Sequence, residues 1–258
     1  PVKAVLLAGG LGTRLREETE YRPKPMVEVG GRPILWHIMK GFAHHGISDF
    51  VVCTGYRSEV IKDFFLNYEG RTHDFTVRLG QPAEVTYHST HDEAGWQVTV
   101  ADTGQTTMTG GRVNRIRSHI GDERFMVTYG DGLADVDISA LLNFHEAHGR
   151  LATVTTIRPL SRFGVMDMTE EGTVEQFREK PLTDDYVNGG FFVFEPAVFD
   201  YLDDECVLEE SPLEALVKDG QLMAYRHKGF WQPMDTYREF TMLNQMWDRD
   251  EAPWKVWS

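Results

Sequence analysis

The chain has 258 residues, 41% of them apolar and 26% charged, enough for one large domain with a sizeable core. Its 26 basic and 40 acidic residues leave a formal net charge of −14, which argues against the broad basic surface that nonspecific nucleic-acid or membrane-surface binding needs. No stretch approaches the ~20 apolar residues of a membrane helix. No signal-peptide pattern opens the sequence. Cys53 and Cys206 sit in no metal or redox spacing, so a reduced, cytoplasmic protein is expected. A small phosphorylated ligand, gripped by a few focused cations, stays compatible with the acidic balance.

In chain order, the apolar run KAVLLA at 3–8 predicts a first buried strand that stops at Gly9-Gly10. Residues 33–45 carry Ile34, Leu35, Ile38 and Phe42 at helical spacing, with Pro33 suited to a first helical turn. FVVCTG at 50–55 predicts a second strand, and 59–68 a helix. FMVTY at 125–129 predicts a strand ended by Gly130-Asp131-Gly132, followed by a helix over 138–148 and a strand over 152–157. Further strands are expected at 164–168, 174–179 and 190–194, and helices at 212–218 and 237–247. Continuous apolar strands alternating with helices predict an α/β fold whose mostly parallel sheet is covered on both faces. No repeat, low-complexity segment or Pro/Ser linker divides the chain, so 1–258 reads as a single domain.

The turn after the first strand carries chemistry. Gly9, Gly10 and Gly12 expose backbone N–H groups that can cradle phosphate oxygens, and Arg14 adds a two-pronged cation. A tight glycine turn that binds nothing is the plain alternative. GLGTRL is not the dinucleotide fingerprint, because Leu15 stands where its third glycine belongs, and no Gly-Lys-Ser/Thr follows as in a P-loop. Downstream, Lys24 lies between Pro23 and Pro25, so its ammonium rides on a stiff, extended segment.

AGGLGTRL followed by RPKPMVEVGGRPIL closely resembles the opening of the sugar-phosphate nucleotidyltransferases. TYGDG at 128–132, FREKP at 177–181, NGGFFVFEP at 188–196 and FWQPMDT at 230–236 extend the resemblance along the whole chain. It implies a Rossmann-like, mostly parallel mixed sheet with helices on both faces and the ligand over the carboxyl ends of the strands. It also implies condensation of a nucleoside triphosphate with a sugar 1-phosphate, releasing pyrophosphate. ILWHIMKGFAHHGI, DTGQTTMTGGRV and the ending FWQPMDT…APWKVW most resemble the members that use CTP and α-D-glucose 1-phosphate, with thymine or uracil as the competing bases. A catalytically silent sugar-nucleotide sensor is disfavoured, because no expected catalytic group is missing.

By this resemblance Leu7, Ala8, Gly9, Gly10, Leu11, Gly12, Thr13 and Gly130 bind the nucleotide. Arg14 holds the phosphates that leave, and Lys24 and Lys180 bring the two anions together as catalytic cations. Tyr129, Glu179, Lys180, Asn188 and Gly189 face the sugar phosphate, with Trp231 as a second wall. Asp131 and Asp235 become ligands of Mg²⁺, which takes one or two carboxylates and completes its six oxygens with water and phosphates. The plain readings are an Asp-Gly turn for Asp131, a helix N-cap for Asp235 and an Asn-Gly turn for Asn188. Thr107 and Arg112 are assigned to the base. A guanidinium can meet the adjacent O2 and N3 acceptors of cytosine, whereas uracil and thymine present a donor at N3. A homo-oligomer is expected as well.

The remaining conspicuous residues read as structural. His37, His44 and His45 lack a metal-ligand partner set, and His88 and His91 have no nucleophile beside them. Trp247, Trp254 and Trp257 read as anchors that pack the tail on the body or on another subunit.

Overall fold

A computed structural model describes residues 2–161 and 163–258. Seven main strands build its central sheet: β1 (Lys3–Ala8), β2 (Asp49–Thr54), β3 (Gln97–Asp102), β4 (Phe125–Tyr129), β5 (Ala152–Ile157), β6 (Phe192–Phe194) and β7 (Leu222–Arg226). Their order across the sheet is β7-β5-β6-β4-β1-β2-β3, and a two-residue strand, Val187–Asn188, pairs with the far end of β5. β1, β2, β3 and β4 run parallel, as do β5 and β7, while β6 is antiparallel to both of its neighbours. The mixed, mostly parallel α/β architecture expected from the sequence is the one observed.

Alternation along the buried strands assigns the two faces. Ala4, Leu6, Phe50, Val52 and Met126 enter one apolar cluster, and Val5, Leu7, Val51, Cys53 and Val127 enter the other. Both sets are almost completely buried, as strands covered on two sides must be. Helices α1 (Ile34–His44), α2 (Ser58–Leu66) and α4 (Ile138–His148) supply Ile34, Leu35, Ile38, Ile61 and Leu141 to the first cluster. Helices α3 (Thr109–Arg115) and α5 (Ser211–Lys218) supply Val113 and Leu216 to the second. The last helix, α6 (Tyr237–Asp248), opens on a capping box in which Thr236 and Glu239 exchange side-chain bonds with each other's backbone. Among the described residues no helix is long and apolar enough to cross a membrane.

The predicted elements occur within a few residues of their expected ends, and further ones appear, among them β3, β7 and α3. Strands β3 and β7 are half-buried edge strands whose apolar signal is correspondingly weak. Helix α3 contains Gly110 and Gly111, which intrinsic propensity counts against. Packing demands them: a Cβ on Gly110 would lie 2.4 Å from the Cys206 sulfur, and one on Gly111 2.3 Å from the Asp204 carbonyl oxygen. Pro33 stands just outside α1 rather than in its first turn, with extended backbone (ψ 141°) paired to Glu28. Lys24–Met26 forms a 3₁₀ turn rather than an extended segment, closed by the Met26 N–H on the Pro23 carbonyl at 2.8 Å.

The C-terminal segment packs on α1. Trp254 is 1% exposed, and its indole N–H faces His37 Nδ1 at 3.3 Å. His37 Nε2 lies 2.8 Å from the Val29 carbonyl, so the ring donates there and accepts from Trp254 as a neutral tautomer. Burial pushes the His37 pKa down from 6.5 to about 4, against the opposing pull of the Val29 carbonyl. Between those pH values the unfolded chain takes up a proton that the folded chain refuses. The contribution is therefore complete above pH 6.5 and is lost as the pH falls toward 4. Its full size is about 3 kcal/mol. Urea unfolding of the wild type should lose about that much more stability over this window than unfolding of His37→Gln; parallel pH profiles exclude the assignment.

Candidate active site

The carboxyl ends of β1 and β4 open into a cleft of about 410 Å³, walled by residues 7–14 with Lys24, Pro25, Thr107, Arg112, Tyr129 and Asp131. A second chamber of about 200 Å³ shares Arg14, Tyr129 and Asp131 with it and adds Gly189, Trp231 and Asp235. The loop between them leaves β1 at Gly9 and stays free of helix until Thr13. Gly12 has φ +62°, and its carbonyl accepts from the Leu15 N–H and the Thr19 hydroxyl. That fold-back turns the loop over the strand end and lets Arg14 project, with its side chain 70% exposed.

Lys24 is the centre of the charge pattern. Its ammonium donates to Asp131 Oδ2 at 2.7 Å and makes a shorter bond to Asp235 Oδ1, with its side chain only 9% exposed. Arg14 Nη1 lies 3.1 Å from the other Asp235 oxygen. The 3₁₀ turn aims Lys24, the turn after β4 aims Asp131, and the strand Trp231–Pro233 delivers Asp235. That strand pairs with Gly132–Ala134 just beyond Asp131. Asp235 is not the helix cap, since Thr236 fills that position. The Asp235 backbone N–H is held by Glu239 at 2.7 Å, and its carboxylate is left for the cations.

Arg112 differs from its expected role. Its side chain is buried, and the two terminal nitrogens already donate to the carbonyls of Thr54, Gly104, Gly9 and Gln105 and to the Thr103 hydroxyl, at 2.8–3.4 Å. A fork committed to five protein oxygens has no free pair of donors for O2 and N3 of a base. Arg112 instead ties the Gly9 loop to the end of β3. Gly9 is glycine for this reason, because a Cβ there would lie 2.0 Å from the Arg112 nitrogen. Thr107 does line the cleft, and its hydroxyl accepts from Arg115 at 2.9 Å.

Tyr129 stands between the chambers. Its hydroxyl donates to Glu209 and accepts from Asn188 Nδ2 at 3.0 Å. Burial, then the Glu209 carboxylate, drive its pKa far upward, so the phenol keeps its proton. Glu209 also accepts from Thr109 at 2.6 Å, and nothing in the sequence around Glu209 signals this contact. Gly189 joins the second chamber through its carbonyl, which accepts from the Trp231 indole at 2.8 Å. Gly130 sits behind the wall, donating to the Leu7 carbonyl at 2.9 Å, where a Cβ would meet Leu7 and Pro25.

Glu179 and Lys180 line neither chamber. They follow the exposed hairpin of Val165–Met168 with Val174–Arg178, and Lys180 adopts φ +44°. Their side chains are 63% and 48% exposed and lie 3.7 Å from each other. In this arrangement Tyr129, Gly189 and Trp231, and not this pair, line the second chamber.

Comparison with known proteins accords with this geometry. Residues 3–244 match the family described as Nucleotidyl transferase. The glucose-1-phosphate cytidylyltransferase of Salmonella typhi is 49% identical over 259 residues, 99% of this chain and all of that one. The enzyme of the same name from Salmonella typhimurium is also 49% identical with the same coverage. A solved UDP-glucose pyrophosphorylase in complex with UDP-glucose superposes with a TM-score of 0.70 over 96% of this chain and 99% of that one, at 17% identity, and so shares the fold. The chain belongs to the nucleotidyl transferase family.

Proposed function

We propose that this protein is a glucose-1-phosphate cytidylyltransferase, which transfers the cytidylyl group of CTP to α-D-glucose 1-phosphate and releases CDP-glucose and pyrophosphate. The observation that carries the reading is the meeting of two chambers at one knot of charge, Lys24 with Asp131, Asp235 and Arg14. A site that joins two polyanions needs that layout. The 49% identity to enzymes of this name supplies the choice of base and sugar.

The sugar phosphate is already ionised at neutral pH, so one of its oxygens attacks the α-phosphorus without a general base. The bond from the α-phosphorus to its bridging oxygen breaks, and the electron pair leaves with pyrophosphate. The loop at residues 9–13 holds the triphosphate, Arg14 meets the departing phosphates, and Lys24 sits beside the phosphorus under attack. Tyr129 and Trp231 wall the sugar. Catalysis is then positioning and charge stabilisation. Asp131 and Asp235 converge on a single ammonium, so they form a pair of hard oxygen donors of the kind Mg²⁺ prefers. Asp131 and Asp235 would hold Mg²⁺ there, and its charge would help neutralise the pyrophosphate.

The core clusters on both faces of one sheet and the family match over 3–244 favour a single domain. The free thiols Cys53 and Cys206, the first pushed up to about 12 by burial, favour a reducing, cytoplasmic setting. Leu160, Phe163, Met166, Phe177 and Leu182 are each more than half exposed on the arm between β5 and β6, which favours self-association.

Pyrophosphate release with glucose 1-phosphate should favour CTP over UTP, dTTP and ATP; an equal or higher kcat/KM with another triphosphate overturns the assignment. Asp131→Asn and Asp235→Asn should each reduce turnover at limiting Mg²⁺ while thermal unfolding stays cooperative. Near-normal turnover would remove that residue from the metal site. Lys24→Ala loses charge-assisted contacts of roughly 1.5–3 kcal/mol and should lower kcat/KM about 10- to 150-fold. Arg112→Leu should cost at least about 100-fold with CTP and UTP alike, because it frees the loop that both triphosphates need. A selective loss with CTP alone would return Arg112 to base recognition.

A further inference from the structure

We propose that Glu69, His73 and His91 form a zinc site, separate from the nucleotidyl-transfer cleft, that clamps the base of the hairpin spanning residues 75–87.

Glu69 and His73 lie four residues apart on the short helix Tyr68–Thr72 and its C-terminal cap, so both side chains leave the same face. His91 returns from the far end of the hairpin. Its Nε2 lies 2.9 Å from Glu69 Oε1, and His73 Nε2 lies 3.7 Å from Glu69 Oε2. The two rings stack at 4.9 Å with a 21° tilt, and one donor atom from each residue falls within 4.8 Å of the other two. Tetrahedral zinc, with bonds near 2.0–2.2 Å, sets its donors on the order of 3.3 Å apart. Small side-chain adjustments close the observed triangle to that size.

The surroundings are those of a ligand set. Each imidazole has its other nitrogen engaged, His73 Nδ1 by the Ser89 hydroxyl at 2.8 Å and His91 Nδ1 by the Glu93 carboxylate at 3.1 Å. Glu93 is itself held by the Trp36 indole at 3.1 Å and by Lys40 at 3.4 Å. Such outer partners orient metal-binding histidines and fix which nitrogen faces the ion. The independent sign is His73 Nε2. It is buried and has no hydrogen-bond partner, on a side chain only 7% exposed, and it points toward Glu69. A buried polar nitrogen without a partner is costly, and a metal–nitrogen bond removes that cost.

Two imidazoles and one carboxylate suit zinc rather than Mg²⁺, which takes oxygen. Glu69, His91 and Glu93 also border a cavity of about 550 Å³, where water can complete a fourth position. That cavity shares no wall residue with the cleft at residues 7–14. The hairpin strands Phe75–Arg78 and Glu84–Tyr87 are exposed at every residue. A two-stranded hairpin with no buried face is marginal alone, and a clamp across its two ends offsets the entropy of closing it.

The test strips metal from the full chain with a chelator. Zn²⁺ is then titrated in the presence of excess Mg²⁺, with bound zinc counted by elemental analysis and Co²⁺ absorption reporting geometry. One Zn²⁺ per chain and the intense visible bands of tetrahedral Co²⁺ are expected. His73→Ala and His91→Ala should each weaken binding at least about 100-fold, and Ser89→Ala about 10-fold, in line with the loss of an outer partner. Zinc should also slow proteolytic cutting within 75–87. Should either alanine variant fail to fold, Glu69→Gln, a change of similar shape on an exposed residue, carries the same expected loss. Zinc that is displaced by Mg²⁺, or that binds Glu69→Gln and Ser89→Ala as tightly as the wild type, overturns the proposal.

Discussion

One buried ammonium between two carboxylates organises the active end of this fold. Lys24, Asp131 and Asp235 come from segments more than a hundred residues apart, and each is delivered by a different local device: a proline-flanked 3₁₀ turn, a turn after a parallel strand, and a short strand running into a capped helix. A charge held out of water must be paired, so the three segments can approach only if all three groups arrive together. The pairing makes the site a charge store as well as a lock. Two carboxylates and two cations, Lys24 and Arg14, meet at one point between the chambers.

Arg112 is the second fixed point, and it works through the main chain. Its guanidinium gathers carbonyl oxygens from the ends of β1, β2 and β3, groups that would otherwise be stranded beneath the cleft. Burial pulls its pKa down from the usual arginine range, which measures the cost of placing the charge there. The return is rigidity of the loop proposed to hold the triphosphate. Gly9 and Gly55 are forced by the same arrangement, because a Cβ on either would enter the guanidinium.

The parts legible in the sequence are those set by short-range rules. Short runs rich in apolar and β-branched residues, bounded by turn or polar residues, mark buried strands, so β1, β2, β4 and β5 could be read directly. The glycine loop and the proline-flanked lysine carry chemical meaning wherever they occur. Edge strands and helix α3 were weaker, since half-burial dilutes the apolar signal and close packing calls for glycine where propensity argues against it. The site was harder still. The donor pattern of Arg112 suits a base edge in isolation, and only the fold shows that five protein oxygens already occupy it. Glu179 and Lys180 match a motif, yet their place on an arm depends on long-range packing that no local pattern encodes.

The histidines make the same point from the other side. Glu69 and His73 stand at helical spacing that the sequence displays openly. His91, eighteen residues after His73, has no local feature to tie it to them. What joins the three is the hairpin between them, whose strands pair Phe75 with Tyr87 and Arg78 with Glu84 and so bring both of its ends to one place. Strand pairing here converts a separation in sequence into a contact, just as the sheet does for Lys24 and its two aspartates. In both places the backbone supplies the approach, and the charged or polar side chains decide what can be held there.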